Sequence, residues 1–548
     1  MNSTQKPIPF TLTLVSFLLG MLCFIGRMIL EGLNPITPEQ FKGLIYVRDI
    51  CFLLPAFIFL SFGLQKLINK EYRFHINLRL PFPPNSLGPY FLVFIISTLV
   101  FRAVSFWVLN DSAHIEDEAL YIHMAKVLQS GALRIKTPNL PPEMFEMRYL
   151  IQDPQGWFSV FFLGHSSLLS LGLSLGLLSW INPVLGGILV TTTYHISSML
   201  HGRSTGIVAV IFCLISPFFL FQCASFFGHI FPAILVTLII YLFLSNRNES
   251  IPIYCLVGFM NGLLFPFRPL SALIVGLWCG ILFLSKRTSF KVKLKGTFFY
   301  GLCVLPGCVL FLYLNFLYTQ NPFITPYSST MQDPALVFGI NILKNSFINL
   351  LGLSVDLIGI PLLSIVPLSW YLLKRDIWYR EITLLLFLWI LLYNAHTYHG
   401  LSYGPRFLFE IAPLLIIMSA KTLVAFSENH LKPAILTNYL IFLVCFSFLG
   451  CFTTRSAVFT KRAIYYDIAA LEKTITRFPA LVIITDEEDQ RLRPYLAGFQ
   501  RNQAHLNGEI VYIKSTPSLE EYIHNHPDIW NYYEMNVGLK TLQPLKPE

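Results

Sequence analysis

Apolar runs separated by short polar segments recur along this chain from Phe10 to Cys451. Most of these runs are long enough for a helix to cross the roughly 30 Å hydrocarbon core of a bilayer. Charged residues make up 13% of the chain and the mean hydropathy is +0.60, whereas a soluble protein carries about 25% charged residues. The pattern therefore predicts an α-helical polytopic membrane protein.

Hydropathy and charge together predict about 13 transmembrane helices with the N-terminus inside. The basic loops at residues 66–79 and 286–295 are predicted to be cytoplasmic, and the formal net charge of +9 therefore does not indicate a nucleic-acid partner. The run Gly164–Leu178 is predicted to lie along or dip into the membrane, because every later loop then obeys the charge rule. The predicted spans are about Phe10–Ile29, Cys51–Leu67, Leu87–Leu109, Pro183–Met199, Ile207–Phe221, Phe226–Leu244, Ile253–Phe267, Leu270–Leu284, Thr297–Tyr318, Phe347–Leu373, Ile382–Tyr398, Arg406–Phe426 and Pro433–Phe452.

The tail beyond the last span, Thr453–Glu548, has a different composition and is predicted to lie outside. It contains strand-like runs at Leu481–Ile484 and Ile510–Ile513, and helical patterns at Ile464–Thr476 and Ser518–Ile523. A small α/β domain of about 85 residues fits this pattern. All ten cysteines lie inside or beside apolar runs, so the sequence predicts neither a disulfide framework nor a zinc site.

The stretch Asn110–Gln129 opens the longest polar interruption before the tail, a loop predicted on the outer side. Three consecutive carboxylates, Glu116, Asp117 and Glu118, precede a helical pattern. The free N–H groups and the dipole at a helix start favour a negative side chain there. A pre-organised carboxylate at a membrane boundary fits a catalytic base, although the same pattern is typical of an ordinary helix cap.

Two arginines lie at span ends on the predicted outer side, where the charge rule disfavours them. Arg268 follows Phe267, and Arg406 stands between Pro405 and an apolar helix start. Either side chain fits a snorkelling end residue, or a guanidinium that binds a phosphate in two-pronged fashion. A lipid phosphate would occupy the same depth.

Four histidines also fall on the predicted outer side: His165, His229, His396 and His399. Such residues serve as acids, phosphate donors or metal ligands, or simply as structural hydrogen-bonding groups. No HExxH pair is present, and the glycines after His399 favour a loop over a metal-binding helix. A divalent metal therefore has no support in the sequence.

The order of these outer segments resembles the GT-C superfamily of membrane glycosyltransferases, which includes protein O-mannosyltransferases and lipid A aminoarabinose transferases. The resemblance spans roughly Asn110 to Phe452, and Phe162 and Leu163 depart from it where the family has paired prolines. No lysine stands where some members hold the donor phosphate near that turn. The similar segments are DEALY at Asp117–Tyr121, GWFSVFFLGHSSLLSLG at Gly156–Gly172, SPFFLFQCASFFGH at Ser216–His229, FPFRPLSA at Phe265–Ala272, NPFITPY at Asn321–Tyr327 and SYGPRFLFEIAPLL at Ser402–Leu414.

The resemblance implies an inverting transfer of a sugar from a polyprenyl-phosphate donor to a hydroxyl of a lipid, polysaccharide or protein acceptor. It implies that Asp117 is the general base and that Glu118 orients the loop or the acceptor. No cofactor is required, and membrane lipids are the other expected partners. The remaining residues assigned to substrate binding by the resemblance are Arg406, Arg268, Tyr121, His165, His229 and Tyr403.

The same resemblance divides the chain into three parts. Residues 1–86 form two additional N-terminal helices, residues 87–452 a GT-C-like catalytic core with its outer catalytic loop at 110–157, and residues 453–548 the small outer α/β domain. Outer juxtamembrane helices belong to the core. The expected location is the inner membrane of a bacterium, with the active site on the periplasmic side.

Two other functions fit a polytopic chain of this kind. A polymerase or ligase acting on pyrophosphate-linked saccharides would depend more on arginines and less on an acidic pair. A transporter of lipid-linked saccharides would place ionisable groups within its spans and often show internal repeats. Here lysine, arginine, aspartate and glutamate lie mostly at span ends, with Asp356 and Glu410 among the exceptions, and neither half of the chain clearly repeats the other.

Overall fold

The computed structural model describes residues 86–285, 288–330, 339–357, 377–395, 402–429, 467–485 and 494–545, together with a few isolated positions. The predicted spans at 10–29 and 51–67, apart from isolated positions, nearly all of 433–452 and residues 358–373 of the span at 347–373 lie outside these residues. His396 and His399 also lie outside them.

The described part of the chain is mostly helical, as the apolar pattern predicts. Three of its helices are long and apolar enough to cross a membrane: Gly88–Trp107, Phe290–Thr319 and Arg406–Ala425. The helices, in chain order, are α1 Gly88–Trp107, α2 Glu116–Gln129, α3 Leu163–Ser174, α4 Ile181–His201, α5 Arg203–Ile215, α6 Pro217–Ala224, α7 Ile230–Ser245, α8 Ile251–Leu264, α9 Pro269–Ser285, α10 Phe290–Thr319, α11 Pro326–Thr330, α12 Ile340–Asp356, α13 Ile377–Asn394, α14 Ala412–Asn429, α15 Ala469–Glu472, α16 Tyr495–Phe499 and α17 Leu519–Asn525.

The predicted span at Ile207–Phe221 contains a break. Helices α5 and α6 meet there at a bend of 67°. Ser216 between them is extended, with φ −69° and ψ 116°, and α6 begins at Pro217. Proline has no N–H to continue the hydrogen-bond ladder, and it disfavours helical backbone at the residue before it. The Ser216-Pro217 pair therefore breaks the helix.

Helix α3 covers the run that was predicted not to cross the membrane. It has 12 residues, which corresponds to about 18 Å at the usual helical rise and is shorter than a bilayer core of roughly 30 Å. A short 3-10 helix, Leu178–Trp180, then leads directly into α4. Its placement as an outer juxtamembrane helix stays a prediction.

The chain forms two compact units. One contains residues 1–97, 187–221 and 336–456. The other contains residues 98–186, 222–335 and 457–548. In the second unit, α7 to α10 pack around fully or nearly fully buried aromatic rings, among them Phe243, Tyr254, Trp278 and Phe283. The tail belongs to this second unit.

The tail contains a four-stranded sheet in the order β4-β3-β5-β6. Strands β3 (Ala480–Thr485) and β4 (Ile510–Lys514) match the two strand-like runs of the sequence and pair in parallel. Strand β5 (Asn531–Asn536) pairs in parallel with β3, and β6 (Thr541–Pro544) pairs antiparallel with β5. The outer loop has a small antiparallel pair of its own, β1 (Leu150–Ile151) and β2 (Phe158–Ser159).

Candidate active site

Helix α2 begins at Glu116, so Asp117 is its second residue, as the sequence predicts. The residue before the helix, Ile115, offers no side-chain cap, and the first turn carries the three carboxylates. Glu116 and Asp117 are each 5% exposed and Glu118 is completely buried. An ordinary cap at the surface of a loop would be hydrated, whereas these acids are enclosed by the protein.

The Glu118 carboxylate joins two segments that are far apart in sequence. Its Oε2 accepts a hydrogen bond from the backbone N–H of His114 at 3.0 Å, and its Oε1 accepts one from the N–H of Phe226 at 2.8 Å. Hydrogen bonds to an ionised acceptor are the strong ones. Glu118 therefore fixes the start of α2 to the turn between α6 and α7.

The other side of that turn is held by His165. Its Nε2 donates to the carbonyl oxygen of Phe226 at 2.9 Å. Burial, opposed by this hydrogen bond and assisted by the charge of Arg268, lowers the pKa of His165 to about 4. The imidazole is therefore neutral at physiological pH, and its role at Phe226 is that of a donor.

Tyr121 packs against the same histidine, four residues after Asp117 and hence on the same side of α2. The rings of Tyr121 and His165 are perpendicular with centroids 5.0 Å apart, and Phe161 lies 5.1 Å from Tyr121. Edge-to-face pairs of this kind stabilise a fixed ring orientation. The predicted role of Tyr121 in substrate binding stays a prediction.

Two glycines allow the elements to approach this closely. A Cβ on Gly228 would lie 2.9 Å from Cβ of His165, and a Cβ on Gly164 would lie 2.6 Å from the Phe267 ring. The Gly164 N–H also donates to the carbonyl of Pro266 at 2.9 Å. The start of α3 therefore contacts both the α6–α7 turn and the α8–α9 turn.

Arg268 and His229 meet at the junction of those turns. His229 is completely buried just before α7, and Arg268 is half-buried just before Pro269. The Nη2 of Arg268 contacts both ring nitrogens of His229, Nδ1 at 2.7 Å and also Nε2. This contact places the guanidinium of Arg268 at the start of α7.

Five outer segments carry the candidate residues, and the first four belong to the second unit: Glu116–Tyr121, Gly156–His165, Phe227–His229, Phe267–Pro269 and His396–Arg406. Hydrogen bonds and a ring contact link Glu118, Tyr121 and His165 around Phe226, and Arg268 contacts His229 at the end of the same turn. The sequence analysis missed Asn182, whose Nδ2 donates to the carbonyl of Phe227 at 2.9 Å. Its only signal was an Asn-Pro pair at the start of α4.

The fifth segment belongs to the other compact unit. Arg406 is buried at the start of a 3-10 helix, Arg406–Ile411, and its N–H donates to the carbonyl of Gly404. Gly404 has φ +104°, and a Cβ there would lie 2.7 Å from Phe218 and 3.1 Å from Oδ2 of Asp356. Tyr403 stacks on Phe221 with an interplanar angle of 15°. The predicted roles of Arg406 and Tyr403 stay predictions.

Metal binding has no candidate ligand set in the part of the chain that the structure describes. No three histidine, cysteine, aspartate or glutamate side chains converge among those residues. The polar groups of the site are carboxylate, guanidinium, imidazole and backbone amide. They suit proton transfer and the binding of an anion.

Two crystal structures of ArnT from Cupriavidus metallidurans are similar to this structure over 82% of the chain. The one bound to undecaprenyl phosphate has a TM-score of 0.52, 11% identity and 94% of its own chain covered. The apo structure has a TM-score of 0.53, 11% identity and 93% covered. ArnT, the lipid A aminoarabinose transferase, is a member of the GT-C superfamily.

This chain has the GT-C fold. The resemblance inferred from the order of the outer motifs is thereby confirmed at the level of the fold. An archaeal oligosaccharyltransferase, AglB from Archaeoglobus fulgidus in complex with an inhibitory peptide and a dolichol-phosphate, is also similar, with a TM-score of 0.41, 13% identity, and 81% of this chain and 69% of that chain covered. No family model matches the sequence, and no curated protein matches it.

Proposed function

We propose that this GT-C protein is an inverting glycosyltransferase that moves a sugar from a polyprenyl-phosphate donor to a hydroxyl acceptor. The observation that supports it best is the network around Phe226. Glu118 binds the backbone N–H of Phe226 and His165 binds its carbonyl, and three residues further along the same turn His229 contacts Arg268. A carboxylate and an oriented cation are the two groups that this reaction needs.

In the proposed mechanism, the Asp117 carboxylate accepts the proton of the acceptor hydroxyl. The hydroxyl oxygen attacks the anomeric carbon as the bond from that carbon to the phosphate oxygen breaks. The lipid phosphate leaves with the electron pair on the opposite face, so the configuration inverts. Because a phosphate ester is a good leaving group, no second carboxylic acid is required, in contrast to ordinary glycoside hydrolysis.

Arg268 is the proposed clamp for the leaving phosphate, since the contact to His229 orients its guanidinium. Arg406 is proposed as a second clamp, and Tyr403 as a neighbouring contact to the substrate.

The architecture proposed for this function has about 13 spans. Two additional helices in residues 1–86 precede the core at 87–452, and the α/β tail at 453–548 lies with the catalytic loop on the periplasmic side of a bacterial inner membrane. ArnT is bound to undecaprenyl phosphate in one of its structures, which supports a polyprenyl carrier here. The proposed acceptor is an envelope lipid, a polysaccharide or a protein.

The test is transfer of label in membranes supplied with radiolabelled polyprenyl-phosphate sugars. Wild-type protein is compared with Asp117→Asn and with Glu146→Gln, which alters an exposed carboxylate of the same outer loop. Label should reach an acceptor with wild type and Glu146→Gln and be lost with Asp117→Asn. Transfer only from pyrophosphate-linked saccharides would favour the ligase, and no transfer from either donor would contradict a transferase.

A further inference from the structure

The face of α2 that points away from Tyr121 packs against the C-terminal tail. The ring of His123 lies 4.8 Å from that of Phe499 in α16, and both side chains are completely buried. Lys126 Nζ donates to the backbone carbonyls of Gln500 and Asn502, each at 2.8 Å. With 3.6 residues per turn, His123 and Lys126 lie on the side of α2 opposite Asp117.

One residue of the tail contacts the chain on both sides of Asp117 in sequence. The side-chain Oε1 of Gln500 accepts a hydrogen bond from the N–H of Ala113 at 3.0 Å, before α2 begins. Its backbone carbonyl accepts from Lys126 near the end of α2. The turn after α16, residues 500–502, therefore binds both the loop that leads into α2 and the last part of the helix.

Lys126 satisfies carbonyl groups at a helix end. The last carbonyls of a helix have no partner within it, and a cation near them is favourable. Burial is the main reason that the pKa of Lys126 is lowered to about 8, with repulsion by Arg501 adding and attraction by Glu472 opposing. Glu472 is itself bonded by Arg501 and by the hydroxyl of Tyr512. The ammonium is therefore bound chiefly by backbone carbonyls.

We propose that Lys126 is a positioning residue for the transfer reaction, which holds α2, and with it Asp117, against the tail. This inference rests on the proposed function of Asp117. It gives the tail a part in catalysis that does not involve contact with the substrate. A shift of about 1 Å at a reacting group lowers a rate by as much as about 100-fold, so a small movement of α2 is sufficient.

The main test compares Lys126→Met with wild type in the full-length protein, using the kinetics of sugar transfer. We expect kcat to fall by about 10- to 100-fold while KM for the polyprenyl-phosphate donor changes by less than about twofold, because the defect is in placement of the base. Lys126→Arg should restore kcat to within about threefold, since a guanidinium can also donate to two carbonyls.

A matched control alters another hydrogen bond between the tail and the outer loop. Ser518 Oγ donates to Oε1 of Glu143 at 2.6 Å, on exposed groups away from α2. Ser518→Ala should leave kcat within about twofold of wild type, because exposed hydrogen bonds contribute little net free energy. A fall as large as that of Lys126→Met would overturn the assignment to Lys126.

A second readout does not depend on activity. Amide hydrogen exchange should become faster in α2 of Lys126→Met and stay unchanged in β3 and β4. Faster exchange throughout the tail sheet would mean that Lys126 only supports folding of the tail, and unchanged exchange in α2 would exclude a positioning role. If wild type transfers no sugar, the proposed function fails, and the exchange result alone decides whether Lys126 holds α2.

Discussion

On one face of α2 Tyr121 packs against His165, whereas on the opposite face His123 packs against Phe499 of the tail. At the start of the helix the Glu118 carboxylate accepts hydrogen bonds from backbone N–H groups, and in its last turn the Lys126 ammonium donates to backbone carbonyls. Both arrangements use the ends of helices and turns, where backbone groups lack intrahelical partners. The negative group lies at the start of α2 and the positive group in its last turn, as the helix dipole favours. The helix is thus fixed at both ends by charges of the favourable sign.

The two faces also differ in what they hold. The Tyr121 face contacts His165, a residue of the proposed substrate site, and Glu118 joins the start of the helix to the turn that leads to His229. The His123 face, together with Lys126, joins α2 to the tail. Damage to the first face should alter stability and chemistry together, while damage to the second should alter the placement of α2.

Glu118→Ala should have the largest effect on stability. It leaves the buried N–H groups of His114 and Phe226 without their acceptor, and it removes two charge-assisted hydrogen bonds. We expect the free energy of unfolding to fall by about 3–5 kcal/mol. Thermal unfolding of the purified protein in detergent measures this.

Glu118→Gln should fall between wild type and Glu118→Ala, since its amide oxygen can still accept one of the two bonds. Glu146→Ala in the same loop provides the surface control, with an expected change within about 0.5 kcal/mol. If Glu118→Ala were no worse than that control, the hydrogen bonds at Phe226 would not hold α2 in place.

The next largest effect is a loss of stability at acidic pH. One buried histidine on each side of α2 causes it: His123 on the helix itself, and His165, which packs against Tyr121. Burial, the largest cause in both, lowers the pKa of His123 to about 3 and that of His165 to about 4. Their pKa in the unfolded chain is near 6.5, so below that pH the unfolded state binds protons that the folded state does not. The contribution of each neutral histidine to the free energy of unfolding is complete above about pH 6.5. It should decrease by about 2 kcal/mol per histidine between pH 7 and pH 5.

The two faces can be separated by comparing the pH dependence of thermal unfolding in His123→Phe and His165→Gln. Lys126 and His505 lie near His123, and Arg268 lies near His165, so these cations further disfavour protonation. The two histidines together lower the free energy of unfolding between pH 7 and pH 5. Each variant should remove about half of that decrease. An unchanged slope in either variant would show that its histidine is not buried in neutral form.

The sequence predicted those parts of the fold that depend on local pattern. The helices Gly88–Trp107 and Phe290–Thr319 follow from hydropathy, and the position of Asp117 at a helix start follows from the carboxylates before an apolar stripe. Strand β5 was missed because its run, NYYEMN, has polar residues at both ends and in the middle. The break at Pro217 was not predicted because hydropathy carries no information about backbone geometry.

The contact between the His123 face of α2 and the tail could not be predicted from the sequence for a different reason. An amphipathic stripe predicts one buried face, yet both His123 and Tyr121 are buried. The partner on the His123 face is Phe499, more than 370 residues away in sequence. No local pattern encodes such a contact. Likewise, the bond from Glu118 to Phe226 involves a backbone amide, which carries no signature in the sequence.

The smallest expected effect comes from a single methyl group at the close approach between α3 and the α6–α7 turn. In Gly228→Ala the new Cβ would lie 2.9 Å from both Cβ and Cγ of His165, so the histidine or the turn must shift. Overpacking of this size costs about 1–3 kcal/mol.

Gly280→Ala in α9 is the matched control, because nothing lies within 4 Å of its Cβ, and alanine in a helix is favoured by about 0.5–1 kcal/mol. Thermal unfolding should therefore move in opposite directions for the two variants. If Gly228→Ala were as stable as Gly280→Ala, His165 would not be packed tightly on the turn that Glu118 holds, and the distinction between the two faces of α2 would lose its structural basis.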